Sequence, residues 1–106
     1  MQQWQPSSSL ETIKQRARLL ARARDFFQNN DVLEVETPLA GAHTVSEPNI
    51  ESIRLALDDA DKYLQTSPEY AMKRLLAAGV PDCYQICKAF RLSENGMRHN
   101  LSLIHI

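Results

Sequence analysis

Arg91 and Glu69 are charged side chains at positions where they could bind and activate a substrate. Arg91 is the last residue of a predicted strand and lies on a face with small residues, which leave room for a ligand beside the guanidinium. An arginine offers several donors in a fixed fork and keeps its proton, so it is suited to stabilising charge on a phosphate. Glu69 lies in the first turn of a predicted helix and could pair with a substrate ammonium, because an unpaired charge in a partly dry pocket is costly. The two residues therefore predict a site for an anionic and a cationic group.

Three segments in fixed order place these residues in a recognisable context. They are VLEVETP at 32–38, SPEYAMKRLL at 67–76 and FRLSENGMRHN at 90–100. Together they resemble class II lysyl-tRNA synthetase-like enzymes, and among these the stand-alone ligases that attach a lysine-type amino acid to a protein. The first segment is similar to the end of class II motif 1, and the third is similar to the first strand and loop of motif 2. The resemblance extends from about Trp4 to Asn100.

The resemblance implies an α+β fold that is an N-terminal fragment of the class II catalytic domain, an antiparallel sheet flanked by helices. It implies ATP as co-substrate, with Mg²⁺ held by ligands outside this chain. The implied partners are lysine or (R)-β-lysine, a lysine of elongation factor P as acceptor, and a second copy bound through residues 10–38. We expect tRNA not to be a substrate, since only about ten residues precede the first helix, where the tRNA enzymes carry an anticodon-binding domain.

The resemblance also implies a role for each site residue. Arg91 is the catalytic residue, which contacts the α-phosphate of ATP. Ser67, Pro68 and Glu69 bind the amino acid. The further ATP contacts are Glu94, His99 and Asn100, although Ser93 stands where the family more often has a glutamate.

Each assignment has an alternative that needs no substrate. Arg91 could form a surface ion pair at a strand end, Glu69 could serve only the dipole of its helix, and His99 could anchor the loop. For the chain as a whole, the alternatives are a fragment of a lysyl-tRNA synthetase and a non-catalytic dimerisation or interaction fragment. Motif 3, which closes the ATP site from the other side, has no counterpart here, so we expect the 106-residue chain alone to be inactive.

Periodicity and turn residues predict the elements that position these side chains. In chain order they are a helix over 10–28 capped by Ser8 with Glu11, a strand over 32–37, a loop over 39–49, a hairpin of 53–57 with 63–66 across a turn at 58–61, a helix from Ser67 to Gly79, and a strand over 83–91. The predicted domain organisation is a flexible lead-in over 1–9, a partial catalytic domain over 10–100 and a tail over 101–106 that does not match the family.

Composition and cysteine spacing narrow the function further. Twelve basic and thirteen acidic residues give a net charge of −1, which does not favour bulk binding of nucleic acid. No apolar run approaches the roughly 20 residues of a membrane span, and we expect a cytoplasmic protein. On a strand, Cys83 and Cys87 would lie about 13 Å apart, beyond the limit of about 7 Å for a disulfide. We therefore expect two buried thiols and no metal site.

Overall fold

The structure is a computed structural model that describes residues 4–42, 52–56, 61–93 and 96–106, with the backbone alone for Arg91, Ser93 and residues 96–100. The chain forms two compact units, residues 1–31 and residues 32–106. The first unit contains one helix and the second contains the strands and the other helix.

The first unit is built on helix α1, Leu10–Asn29. The hydroxyl of Ser9 accepts a hydrogen bond from the backbone N–H of Thr12 at 3.2 Å and caps the helix. The prediction of a capping box from Ser8 was wrong by one residue, because it is Ser9 that lies three positions before a free N–H. At the other end the side chain of Asn30, the C-cap residue, donates to the Phe26 carbonyl at 2.8 Å, so the asparagine cluster at 29–30 satisfies a carbonyl of the last turn and ends the helix.

In its described residues, the second unit has six strands and one helix. They are β1 (Leu33–Glu34), β2 (Ala40–Gly41), β3 (Arg54–Leu55), β4 (Lys62–Leu64), α2 (Glu69–Ala77), β5 (Cys83–Ser93) and β6 (Gly96–His105). One sheet has the order β1-β5-β6, with β1 parallel and β6 antiparallel to β5. The other has the order β2-β4-β3 and is antiparallel throughout.

The second sheet both confirms and corrects the sequence-based prediction. Arg54 pairs with Tyr63 and Leu55 with Lys62, which confirms the hairpin. The prediction that 39–49 is entirely loop was wrong, because β2 pairs with the free edge of β4 and so satisfies backbone groups that turn residues alone would leave open. The rest of that loop from residue 43 onward lies outside the described residues, as does most of the predicted turn at 58–61.

The most buried residues of the second unit lie at the start of β5 and on one face of α2. Met72 and Cys83 are fully buried, and Tyr84 and Gln85 are nearly so. Tyr84 donates its hydroxyl to Glu34 at 3.2 Å, which ties β5 to β1. β5 therefore starts inside the unit and carries Arg91 toward its far end, two residues beyond the buried Ala89.

Candidate functional site: the end of strand β5 and the start of helix α2

The register of the β5–β6 hairpin fixes which predicted ATP contacts share a face of the sheet. Ala89 pairs with Asn100, Phe90 with His99, and Arg91 with Arg98. Residues directly opposite each other lie on one face, and successive positions alternate between faces. Positions 91 and 100 therefore belong to the same face, two residues apart along the ladder, whereas position 99 belongs to the opposite face. Glu94 lies outside the described residues.

Hydrogen bonds from Gln65 hold the segment that leads into α2 against the edge of β5. The backbone N–H of Phe90 donates to the carbonyl of Gln65 at 2.8 Å. The side-chain amide of Gln65 donates to the carbonyl of Lys88 at 3.0 Å and to the sulfur of Cys87 at 3.3 Å. Glu69 follows Gln65 by only four residues, a span of at most about 14 Å. The structure thus brings residues 67–69, which the sequence predicts to bind the amino acid, and the end of β5 at Arg91 into one region.

Helix α2 begins at Glu69, two residues after the predicted start at Ser67. Pro68 occupies the cap position and makes no side-chain capping bond. The Ser67 hydroxyl instead accepts the N–H of Glu69 at 3.3 Å, within the turn. Pro68 is fully buried and its carbonyl accepts the N–H of Met72 at 3.0 Å. A buried proline anchored in this way fixes where Glu69 emerges.

The carboxylate of Glu69 already has an ammonium partner within its own helix. The Nζ atom of Lys73 lies 2.9 Å from its Oε1 atom, and both side chains are about half exposed. The hydrogen bond with Glu69 raises the pKa of Lys73, and the charge of Glu69 adds to the effect. This pair was not predicted from the sequence. The i, i+4 spacing of the two residues was the available signal.

A cavity of about 250 Å³ lies beside this segment, between α2 and the second sheet. The residues that line it include Tyr63, Ser67, Tyr70 and Arg74 but not Glu69. The cavity therefore borders the proposed amino-acid segment on the side away from the Glu69–Lys73 pair.

The two cysteines are free thiols. Burial raises the pKa of Cys83, with a smaller contribution from Asp82, and burial also raises the pKa of Cys87 against the hydrogen bond from Gln65. In both residues the raised pKa favours the inert thiol form. Among the residues that the structure describes, no three His, Cys, Asp or Glu side chains come together in a way that could hold a metal ion.

Strand β6 continues past the point where the resemblance stops. Its pairing with β5 runs without a break from Asn100 to His105, and Ile106 exchanges two backbone hydrogen bonds of 2.9 Å with Cys83. Leu101 and Leu103 are 42% and 49% exposed. Pairing alone does not test homology, so the assignment of 101–106 as a tail outside the family stays a prediction.

The fold, in which β5 is the central strand between β1 and β6, is that of class II aminoacyl-tRNA synthetases. The structure resembles asparaginyl-tRNA synthetase from Pyrococcus horikoshii, solved with asparaginyl-adenylate, with a TM-score of 0.72 and 20% identity over 86% of this chain and 22% of that one. This likeness confirms the predicted α+β class II fold. The sequence pattern of the family tRNA synthetases class II (D, K and N) matches residues 2–106, and the chain belongs to that family.

Several curated relatives of the chain are named as ligases that act on elongation factor P. The elongation factor P--(R)-beta-lysine ligase of Pseudoalteromonas translucida is 46% identical over 103 residues, which cover 92% of this chain and 32% of the ligase. The ligase of that name from Photobacterium profundum is 42% identical over 105 residues, which cover 93% and 32%. The chain thus spans about a third of the length of these relatives. In the part of the chain that the structure describes, no helix is both long enough and apolar enough to cross a membrane.

Proposed function

We propose that the chain is part of an ATP-dependent ligase that activates lysine or (R)-β-lysine and transfers it to a lysine of elongation factor P. The observation that carries the proposal is the 46% and 42% identity to ligases of that name over more than nine-tenths of the chain. The proximity of the Glu69 segment to the end of β5 supports it. The activity belongs to the whole protein, and this chain supplies the part of the site that includes Glu69 and Arg91.

The proposed reaction has two steps. The substrate carboxylate attacks the α-phosphorus of ATP, and the bond to the β-phosphate breaks, so that pyrophosphate leaves and an aminoacyl adenylate forms. The ε-amine of the acceptor lysine then attacks the adenylate carbonyl, loses a proton and displaces AMP, which leaves an amide. The first step concentrates negative charge at a phosphorus that already carries anionic oxygens. Fixed positive donors aimed at that phosphorus lower the barrier.

Arg91 is the residue that we assign to this charge. Its position at the far end of a strand anchored in the core supports the assignment, because a rigid element holds a catalytic group in place better than a loop does. Asn100 shares its face of the hairpin and is the proposed contact to ATP from β6. Glu94 and His99 are further proposed ATP contacts, but the register favours Asn100 over His99. Mg²⁺ would accompany ATP and take its ligands from elsewhere in the protein.

Glu69 is the residue that we assign to the ammonium of the amino acid, with Ser67 and Pro68 shaping the turn around it. The ion pair with Lys73 supports this role, since the carboxylate receives an ammonium there at 2.9 Å. A substrate ammonium would replace or share that partner. The carboxylate would then orient the substrate toward the α-phosphate at Arg91.

The remaining parts of the proposal concern assembly and location. We place a homodimer contact in residues 10–38, a lead-in at 1–9, the partial catalytic domain at 10–100 and a tail from outside the family at 101–106, although residues 101–105 continue strand β6. The protein would act in the cytoplasm, where ATP and elongation factor P are available. We do not expect tRNA to be an acceptor, although the family includes tRNA synthetases.

A chimeric ligase tests the proposal. Residues 10–100 of this chain replace the aligned segment of the Pseudoalteromonas translucida ligase, which supplies the other two-thirds of the protein. The chimera is incubated with ATP, labelled lysine or β-lysine, and either elongation factor P or tRNA. We expect label on elongation factor P and none on a variant that lacks its acceptor lysine. Charging of tRNA with no transfer to the protein would instead make the chain part of a synthetase, and no amino-acid-dependent pyrophosphate exchange would refute both functions.

A further inference from the structure

Gln65 makes hydrogen bonds to the edge of β5 of the kind that a neighbouring strand would make. β1 covers that edge only at its start, where Leu33 pairs with Cys83 and Glu34 with Tyr84. Further along, the side-chain amide of Gln65 donates to the Lys88 carbonyl at 3.0 Å, and the backbone carbonyl of Gln65 accepts the Phe90 N–H at 2.8 Å. One residue thus satisfies two successive backbone groups on the edge that β6 leaves open.

This contact lies between the two groups that must act together. Gln65 comes four residues before Glu69 in the chain, and it holds β5 at Lys88 and Phe90, directly before Arg91. Its backbone N–H is also bonded to the Leu39 carbonyl at 2.8 Å, so the residue is held from both sides. Any shift of Gln65 along β5 changes the separation of Glu69 and Arg91. Reactions that depend on a near-attack geometry lose rate steeply when such a separation changes by about 1 Å.

We propose that Gln65 is a positioning residue, which sets the distance between the amino-acid segment at Glu69 and the phosphate-binding strand end at Arg91. The inference rests on the proposed function for its catalytic consequence, but the contact itself does not depend on that function. Gln65 reaches neither substrate in this role. It acts through the backbone of β5. The side-chain amide of Gln65 donates to the Lys88 carbonyl and to the Cys87 sulfur, and the carbonyl is the stronger acceptor of the two because a sulfur is a weak acceptor.

The side-chain bonds can be removed without removing the backbone bonds. Gln65→Met keeps the length and approximate volume of the side chain and deletes both donors. Gln65→Asn keeps an amide but withdraws it by one bond, about 1.5 Å, so that it no longer reaches Lys88. The matched control is Gln85→Met. Gln85 is a buried glutamine of β5 whose side chain accepts a hydrogen bond from Thr37 at 2.8 Å, and among the described residues it makes no hydrogen bond to residues 67–69.

The decisive experiment measures pyrophosphate exchange and amide hydrogen exchange on the chimeric ligase. In both Gln65 variants we expect kcat to fall at least tenfold while the KM values for ATP and the amino acid stay within threefold, because each half of the site is intact and only their separation is wrong. Peptides covering 65–69 and 88–92 should exchange about tenfold faster than in the parent. In Gln85→Met we expect kcat within threefold, even where its Tm falls as far as that of Gln65→Met.

Each other result overturns the inference. A kcat within threefold of the parent in both Gln65 variants, or an equal loss in Gln85→Met, would make Gln65 an ordinary structural residue. A change confined to one KM would make it a substrate contact. If the parent chimera shows no exchange activity, the proposed function fails together with the catalytic half of this inference. The amide exchange of 65–69 and 88–92 then still decides whether Gln65 holds the two segments together.

Discussion

Replacing Glu69 by glutamine should weaken binding of the amino acid and leave ATP binding unchanged. The substitution keeps the shape of the side chain and removes the charge that would receive the substrate ammonium. A hydrogen bond to a charged group contributes about 1.5 to 3 kcal/mol, which corresponds to roughly a ten- to hundredfold change in affinity. We therefore expect the KM for lysine or β-lysine in pyrophosphate exchange to rise by about that factor, with the KM for ATP within twofold.

Removing Lys73, the ion-pair partner of Glu69, should lower the KM for the amino acid, which is the opposite of the effect of Glu69→Gln. Lys73 occupies the carboxylate at 2.9 Å in the absence of substrate, so a substrate ammonium has to compete with it. Exposed i, i+4 pairs are weak, and Lys73→Met should lower the KM for the amino acid by about twofold or less. In a chain that already carries Glu69→Gln, the same change should have no effect, because the competition is gone.

The control and the refuting results follow from the same geometry. Glu11 makes an exposed ion pair with Arg18 at 3.1 Å in α1, outside the segments assigned to the proposed site. Glu11→Gln in the chimeric ligase should therefore leave both KM values unchanged. Equal losses of ATP and amino-acid binding in Glu69→Gln, or an effect on neither, would remove Glu69 from the amino-acid site. A Lys73→Met effect that persists without the Glu69 charge would show that Lys73 acts on the substrate by another route.

Three other predictions can be checked on the same material. Arg91→Ala should abolish adenylate formation and leave the circular dichroism spectrum unchanged, since it deletes charge-assisted bonds of about 1.5 to 3 kcal/mol each; exchange within about threefold of the parent would contradict the assignment. Asn100→Ala should raise the KM for ATP more than His99→Ala, because positions 91 and 100 share a face; the reverse order would refute the reading of the register. Met72→Ala should reduce the free energy of unfolding by about 2 to 5 kcal/mol in a denaturant titration, since the side chain is fully buried, and a loss below about 1 kcal/mol would show that α2 repacks around the gap.

The elements with a strong local signal were predictable from the sequence. The apolar repeat of α1, the asparagine cluster behind it, and the alternation of β5 each depend on residues close together in the chain, and each element formed within two residues of its predicted bounds. Cap residues were less predictable. Three serines in a row precede α1, and which of them caps the helix depends on a shift of one residue that costs little. β2 was missed because its partner, β4, begins more than 20 residues later.

The residues of the candidate site also differ in whether a local signal or a contact with distant residues reveals them. Glu69 and Arg91 lie in short segments whose residue types suit the proposed chemistry, so the sequence predicts them as site residues without the fold. Gln65 carries no chemistry of its own, and its role depends on meeting residues 22 and 23 positions further on. A glutamine two positions before the SPE segment looks like any polar residue at the end of a strand. Its role depends on the fold, because β1 does not extend to Lys88 and the side chain of Gln65 supplies the donor for the Lys88 carbonyl.

The placement of Arg91 explains why a positioning residue is needed at all. β5 is anchored in the core at Cys83 and Tyr84, but Arg91 lies eight residues beyond Cys83, about 27 Å along an extended strand. A strand held on one side only by β6 can twist or bend over that length, and the displacement is largest at its far end. The Gln65 contacts restrain the other edge at Lys88 and Phe90, close to the point of largest displacement. Because the same residue leads into Glu69, any movement of this end of β5 carries the amino-acid segment with it, so the two halves of the proposed site keep their separation.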